Sequence, residues 1–168
     1  SLNDKNPTHI YQAEKDLHNL APQVRGIVGD EITMMLQQNE GHIAVVWSGV
    51  AAPLVQDGDT YDYVVPKEGS NLWFDNMVIP KTAQNKEGAY QFINFLLDAK
   101  NNKQNTEWVG YATPNKAARN LLPNNIKNDH RFYPTQKEQK HLEVYKDLGE
   151  KTLGEYNESF LNFKMSLK

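Results

Sequence analysis

The chain has 168 residues, of which 39% are hydrophobic and 10% aromatic; 18 basic side chains against 21 acidic ones give a formal charge of −3, and there is no cysteine. That length supports one core of ordinary size and a folded, water-soluble protein. The missing cysteines exclude disulfides, thiolate metal sites and thiol nucleophiles, the scattered basic residues exclude the stripe that nucleic acid needs, and no apolar run is long enough to span a bilayer.

In chain order, Pro7 and Thr8 open a helix, with Thr8 as its cap and Ile10, Ala13, Leu17 and Leu20 on one stripe before Pro22 stops it. Val24 to Val28 reads as a short strand, and Asp30 caps a second helical piece through Met34, Met35 and Leu36. After the turn Asn39-Glu40-Gly41, the run His42 to Trp47 is continuously apolar, the pattern of a strand covered on both faces. Ser48 caps a short helix at 49–56, Asp57-Gly58-Asp59 makes a turn, Tyr61 to Val65 a strand, and 66–71 a loop. From Asn85 the pattern is helical, with Ala89, Phe92, Ile93, Leu96 and Leu97 on a stripe expected to pack on a sheet. Helices follow at 101–108 and 117–122. The polar last third, from Gln136, is helical with breaks near Gly149 and Gly154. Alternating strands and helices make the fold class α/β, although few strands are visible for so many helical faces.

The run Asn71-Leu72-Trp73-Phe74-Asp75-Asn76-Met77-Val78-Ile79-Pro80 carries the strongest chemical signal. In extended chain, side chains two apart face the same way, so Trp73 and Asp75 would look into one space. An indole face offers an organic ammonium a cation–π contact of roughly 0.5 to 2 kcal/mol, and a carboxylate adds a charge-assisted hydrogen bond. The alternative for Asp75 is a cap or a pairing with a lysine or a backbone amide. Trp47 and Ser48-Gly49 lie where a strand passes into a helix, the place where ligand crevices form in open α/β sheets, while Trp108 reads as core or helix packing. Catalysis finds little support. His9, His18, His42, His130 and His141 show no ligand or triad spacing, glycine-rich phosphate loops are absent, and Asp57, Asp59 and Asp62 read as a solvated turn rather than a calcium loop. A hydrolase built on Asp75 and Glu68 lacks a matched acid and base. No cofactor and no metal is expected.

Five segments then carry a resemblance in order and interval: Ala44-Val45-Val46-Trp47-Ser48-Gly49; Val65-Pro66-Lys67-Glu68-Gly69; Leu72 through Pro80; Asn85-Lys86-Glu87-Gly88-Ala89 with Phe92 to Leu97; and Gly110-Tyr111-Ala112-Thr113-Pro114-Asn115. Together they resemble the later part of the bacterial spermidine/putrescine-binding proteins that serve polyamine ABC transporters. The resemblance implies part of a two-lobed, periplasmic-binding-protein-like (type II) fold, with residues 1–77 in the second lobe, 78–120 belonging to the first, and 121–168 returning to the second. It implies that Trp47, Trp73, Asp75 and Tyr111 line an interlobe cleft, a hollow for a slender cation with rings against methylenes and ammonium groups and Asp75 on an amine. Gly29 stands where that family offers a serine contact and Tyr145 where it offers a glutamine, which makes both secondary ligand positions and leaves the choice between spermidine and putrescine open. The implied partners are the polyamine and a membrane permease. The implied location is extracytoplasmic, with the parent either lipid-anchored on a cell surface or free in a periplasm. Since the chain opens at Ser1-Leu2-Asn3-Asp4, a mature or truncated product is expected, with the first lobe and a signal segment upstream of it. A carrier of another small cation or a sugar on the same fold is the nearest alternative, and an interaction domain the next.

Overall fold

The computed structural model describes residues 1–56, 58 and 60–167. The expected turn at Asp57-Gly58-Asp59 therefore rests on two residues, Asp57 and Asp59, that lie outside the described ones. The chain forms two compact units, 1–44 with 143–168, and 45–142.

In the first unit, α1 (Pro7–Leu20) packs on α9 (Glu150–Met165). Proline at the first helical position moves the cap two residues upstream from Thr8: the Asn6 side chain accepts from the Thr8 amide at 2.9 Å. The buried face also departs from the apolar stripe. Ile10 is buried, but Leu17 and Leu20 are exposed. Phe163 of α9 is buried as well and meets the His18 ring edge-on at 6.2 Å, while Asn162 donates to Glu14 at 3.3 Å. Hydrogen bonds from Ser159, Asn162 and His18 hold the Glu14 carboxyl below its usual range. A 3-10 turn at Ala21–Gln23 follows α1, and α2 (Ile32–Gln37) starts at Glu31 with no side-chain cap, so Asp30 does not cap it. Asn39, in left-handed backbone at φ 58°, makes the expected turn. Helix α9 runs unbroken through Gly154, whose neighbourhood is open; Gly149, at φ 80°, is its N-cap.

The second unit holds α3 (Ser48–Gln56), α4 (Lys86–Leu97), α5 (Ala99–Val109), α6 (Lys116–Leu121), and the single turns α7 (Asn124–Lys127) and α8 (Gln136–Gln139). The caps follow sequence chemistry. Asn85 accepts from Gly88 N, Asp98 from Lys100 N and Asn101 N, Asn115 from Ala117 N and Ala118 N, and Thr135 with Glu138 completes a capping box. Helix α5 ends on Gly110 in left-handed backbone, φ 74°.

The expected strands are where sequence and structure part. The one sheet among the described residues pairs β1 (Ser70–Asn71) with β2 (Leu142–Glu143). Segments 24–28, 42–47 and 61–65 join no ladder. Nor is 42–47 covered on both faces, since Ile43 is 94% and Val45 103% exposed. A strand is defined by hydrogen-bonding neighbours, and the described chain supplies none to these segments. Helix α4 likewise packs on α5 rather than on a sheet, and leaves Phe92, Phe95 and Leu97 exposed. Trp108 is 89% exposed, contrary to its expected packing. Helix α5 turns Thr106 inward against α6, and two residues of helix carry Trp108 about 200° round to the far side.

Candidate functional site: an aromatic wall in the second unit

Three of the expected ligand residues come together from separate stretches of the second unit. Trp47 precedes α3, and its carbonyl accepts the first helical amides, Val50 N at 3.0 Å and Ala51 N at 3.1 Å. Trp73 lies on the non-helical run after β1, and Tyr111 follows the Gly110 cap of α5. The Trp73 ring stands 5.6 Å from that of Trp47 at 69°, and 5.5 Å from that of Tyr111 at 78°. Both contacts are edge to face, the arrangement that the quadrupoles of aromatic rings favour. Trp73 thus meets both of the other rings. Together they form an aromatic wall that is partly open at its surface: Trp47 is 53% exposed.

Asp75, two residues beyond Trp73, is exposed and makes no hydrogen bond or ion pair among the described residues. It therefore neither caps a helix nor pairs with a lysine or an amide. A carboxylate left open in this way is available to a cation.

Gly29 and Tyr145 belong to the first unit. The Gly29 amide donates to the Glu31 carboxylate at 2.9 Å, and the Tyr145 side chain is exposed.

The loop that carries Tyr111 is held from three sides. Thr113 Oγ1 donates to Asn102 Oδ1 at 2.6 Å and accepts from Asn115 N at 3.0 Å, while the Thr113 amide donates to the Tyr133 hydroxyl at 3.2 Å. Asn115 Nδ2 reaches the Leu97 carbonyl at 2.8 Å. In the same unit, Tyr63 stacks on Phe132 at 5.5 Å with the ring planes 5° apart. Burial raises the Tyr63 hydroxyl above its ordinary pKa, with a smaller contribution from Tyr111. The sequence marks Tyr63 only as a residue of the expected strand 61–65 and gives Tyr133 no role. Arg131 bonds the carboxylates of both Asp129, at 2.7 Å, and Asp62, at 2.9 Å. Asp62 is thus an ion-pair partner rather than part of a merely solvated turn. Among the described residues no group of histidine and carboxylate side chains is arranged to hold a metal ion, and no helix is long and apolar enough to cross a membrane.

Comparison with known proteins gives the lineage. Residues 1–134 match the family of bacterial extracellular solute-binding proteins. The spermidine/putrescine-binding periplasmic protein of Escherichia coli is 39% identical over 149 residues, which is 89% of this chain and 43% of that protein. A structure named for a spermidine/putrescine ABC transporter from Listeria monocytogenes is 53% identical with a TM-score of 0.91, covering 98% of this chain and 51% of that one. The substrate-binding protein of a Streptococcus pneumoniae spermidine/putrescine ABC transporter is 47% identical with a TM-score of 0.86, covering 100% and 52%. These relatives are transport binding proteins, and the chain spans about half their length. The fold it shares with them is part of the two-lobed α/β, type II architecture of periplasmic binding proteins. The chain belongs to the bacterial extracellular solute-binding protein family.

Proposed function

We propose that this chain supplies one side of the ligand cleft in the extracytoplasmic substrate-binding component of a polyamine ABC transporter. The observation that carries the reading is Trp73 held against both Trp47 and Tyr111, with the unpartnered Asp75 carboxylate two residues along. Rings cover the methylene chain of a di- or polyamine and attract its ammonium groups; Asp75 takes one amine by a charge-assisted hydrogen bond. Relatives named for spermidine and putrescine support the ligand class. Residues 1–77 and 121–168 belong to the second lobe of the parent and 78–120 to the first, with the Trp73 run at one crossing. Gly29 and Tyr145 are secondary contacts. Ligand touching both lobes favours the closed form, which a permease reads. The parent works outside the cytoplasmic membrane, with or without a lipid anchor, and performs no catalytic step.

Calorimetry tests this with putrescine, spermidine, spermine and a sugar panel, run on the parent and on this chain alone. The parent binds amines and the 168-residue chain binds them weakly or not at all, because the opposing cleft wall is absent. Asp75→Asn in the parent weakens amines far more than any sugar. Equal loss for both ligand classes would defeat the polyamine assignment.

A further inference from the structure

The ring of Tyr111 rests on a helix position that has no side chain. A Cβ built at Gly49, in the first turn of α3, would fall inside the van der Waals envelope of Tyr111 atoms Cε2, Cδ2 and Cζ. Gly49 is buried, and its backbone lies outside the positive-φ region, so the local conformation does not call for glycine. Within a helix, glycine is less favourable than alanine by roughly 0.5 to 1 kcal/mol. The ring is therefore the feature that requires a missing side chain here.

Two neighbours press the Tyr111 loop onto the same spot. Gly110, in left-handed backbone, passes so close to α3 that a Cβ on it would lie 3.2 Å from the Ala52 Cβ and 3.4 Å from the Gly49 carbonyl oxygen. That carbonyl lacks its usual helical partner, because residue 53 is proline and has no amide hydrogen. On its other side the Tyr111 ring meets Trp73 at 5.5 Å. The ring is thus bounded by a helix backbone and an indole, with no slack toward the helix.

We infer that Gly49 is a positioning residue for the aromatic wall: by leaving α3 bare it sets the depth at which Tyr111 lies against Trp73, and hence the shape that the wall offers a polyamine. The inference rests on the proposed ligand reading only for its second half. A methyl group at position 49 pushes the ring toward Trp73 or out into the open, while the helix itself loses nothing. The same exchange at Gly154 in α9, where a Cβ meets no atom within 4 Å, supplies the matched control.

The test uses near-ultraviolet circular dichroism and tryptophan fluorescence of the 168-residue chain, together with spermidine titration of the parent. Gly49→Ala alters both ring signals, Gly154→Ala alters neither, and in a Tyr111→Ala background Gly49→Ala no longer has an effect. In the parent, Gly49→Ala weakens spermidine about tenfold, the scale of one lost ring contact to a cation. Unchanged ring signals in a folded Gly49→Ala chain would overturn the positioning role, as would unchanged spermidine affinity in a parent that binds it. A parent that binds no polyamine, with the ring signals altered as expected, would sink the ligand reading and leave the seat for Tyr111 standing.

Discussion

The Tyr133 hydroxyl accepts a hydrogen bond from the Thr113 amide at 3.2 Å, tying the loop after Tyr111 to a residue twenty positions along the chain. Tyr133 is buried, and the Arg119 guanidinium lies over its ring at 4.3 Å while donating to the Lys127 carbonyl at 2.9 Å. Tyr133→Phe keeps the ring and the cation above it but leaves the Thr113 amide unpaired. Removing one partner of a part-buried hydrogen bond costs about 1 kcal/mol or somewhat more. The expected result is a lower urea midpoint with an unchanged slope. No change in midpoint would mean that water replaces the hydroxyl at no cost.

Trp73 makes two ring contacts where Trp47 and Tyr111 each make one with it. Each edge-to-face pair is worth roughly 0.5 to 1.5 kcal/mol beyond buried area. Trp73→Ala is therefore expected to destabilise the chain by about 1 kcal/mol more than Trp47→Ala, and to erase the near-ultraviolet signal that either flanking substitution merely reduces. Equal effects of Trp47→Ala and Trp73→Ala on the urea midpoint would show that the central ring carries no extra load.

Arg131 lies between two acids, and the pH dependence follows from its hydrogen bonds. Those bonds hold the carboxyls of Asp129 and Asp62 below the ordinary carboxylate range. A depressed carboxyl pKa contributes stability that is complete above the unfolded value, about 4, and is lost as pH falls through the lower folded value. Arg131→Met removes that contribution. The variant is less stable than the parent sequence near neutral pH, and the gap between their urea midpoints closes below about pH 4. Glu14, also held low, is untouched by the substitution and cancels in the comparison. Curves that stay parallel from neutral to acid would refute a role for this ion-pair cluster.

The helices and the site were legible in the sequence for different reasons. Asn85 announces a helix start because cap chemistry acts within three residues of chain, whereas Thr8 gives way to Asn6 and α2 starts without the expected Asp30 cap. The strands did not follow, because a ladder depends on neighbours that no local pattern contains. The apolar run 42–47 reads as a buried strand, yet Ile43 and Val45 stand exposed in this chain. Trp47, Trp73 and Tyr111 were found through the spacing of whole segments, and they do meet. Gly49 stood in one of those segments without a role of its own, and Tyr133 stood in none. One matters for the atoms it lacks, the other for a hydrogen bond across twenty residues, and neither property leaves a mark on the neighbouring sequence. Trp108 misled for the opposite reason, since its aromatic character suggests burial while the face of α5 on which it falls is fixed by Thr106 and the packing of α6.

The exposure of Trp108 makes the last expectation specific. An indole open over most of its surface has little packing to lose, so Trp108→Gln changes stability by no more than about 0.5 kcal/mol. Its emission, coming from a ring in water, is the most red-shifted of the three tryptophans, and the variant's spectrum moves to the blue as Trp47 and Trp73 come to dominate. Trp108 and Phe95 line an open depression of about 530 Å³ on the α4–α5 surface, and exposed apolar surface of this kind favours self-association. Light scattering is therefore expected to report fewer oligomers for Trp108→Gln at matched concentration. A loss of more than about 1 kcal/mol in urea would instead show the indole packed against the chain, contrary to the geometry of α5.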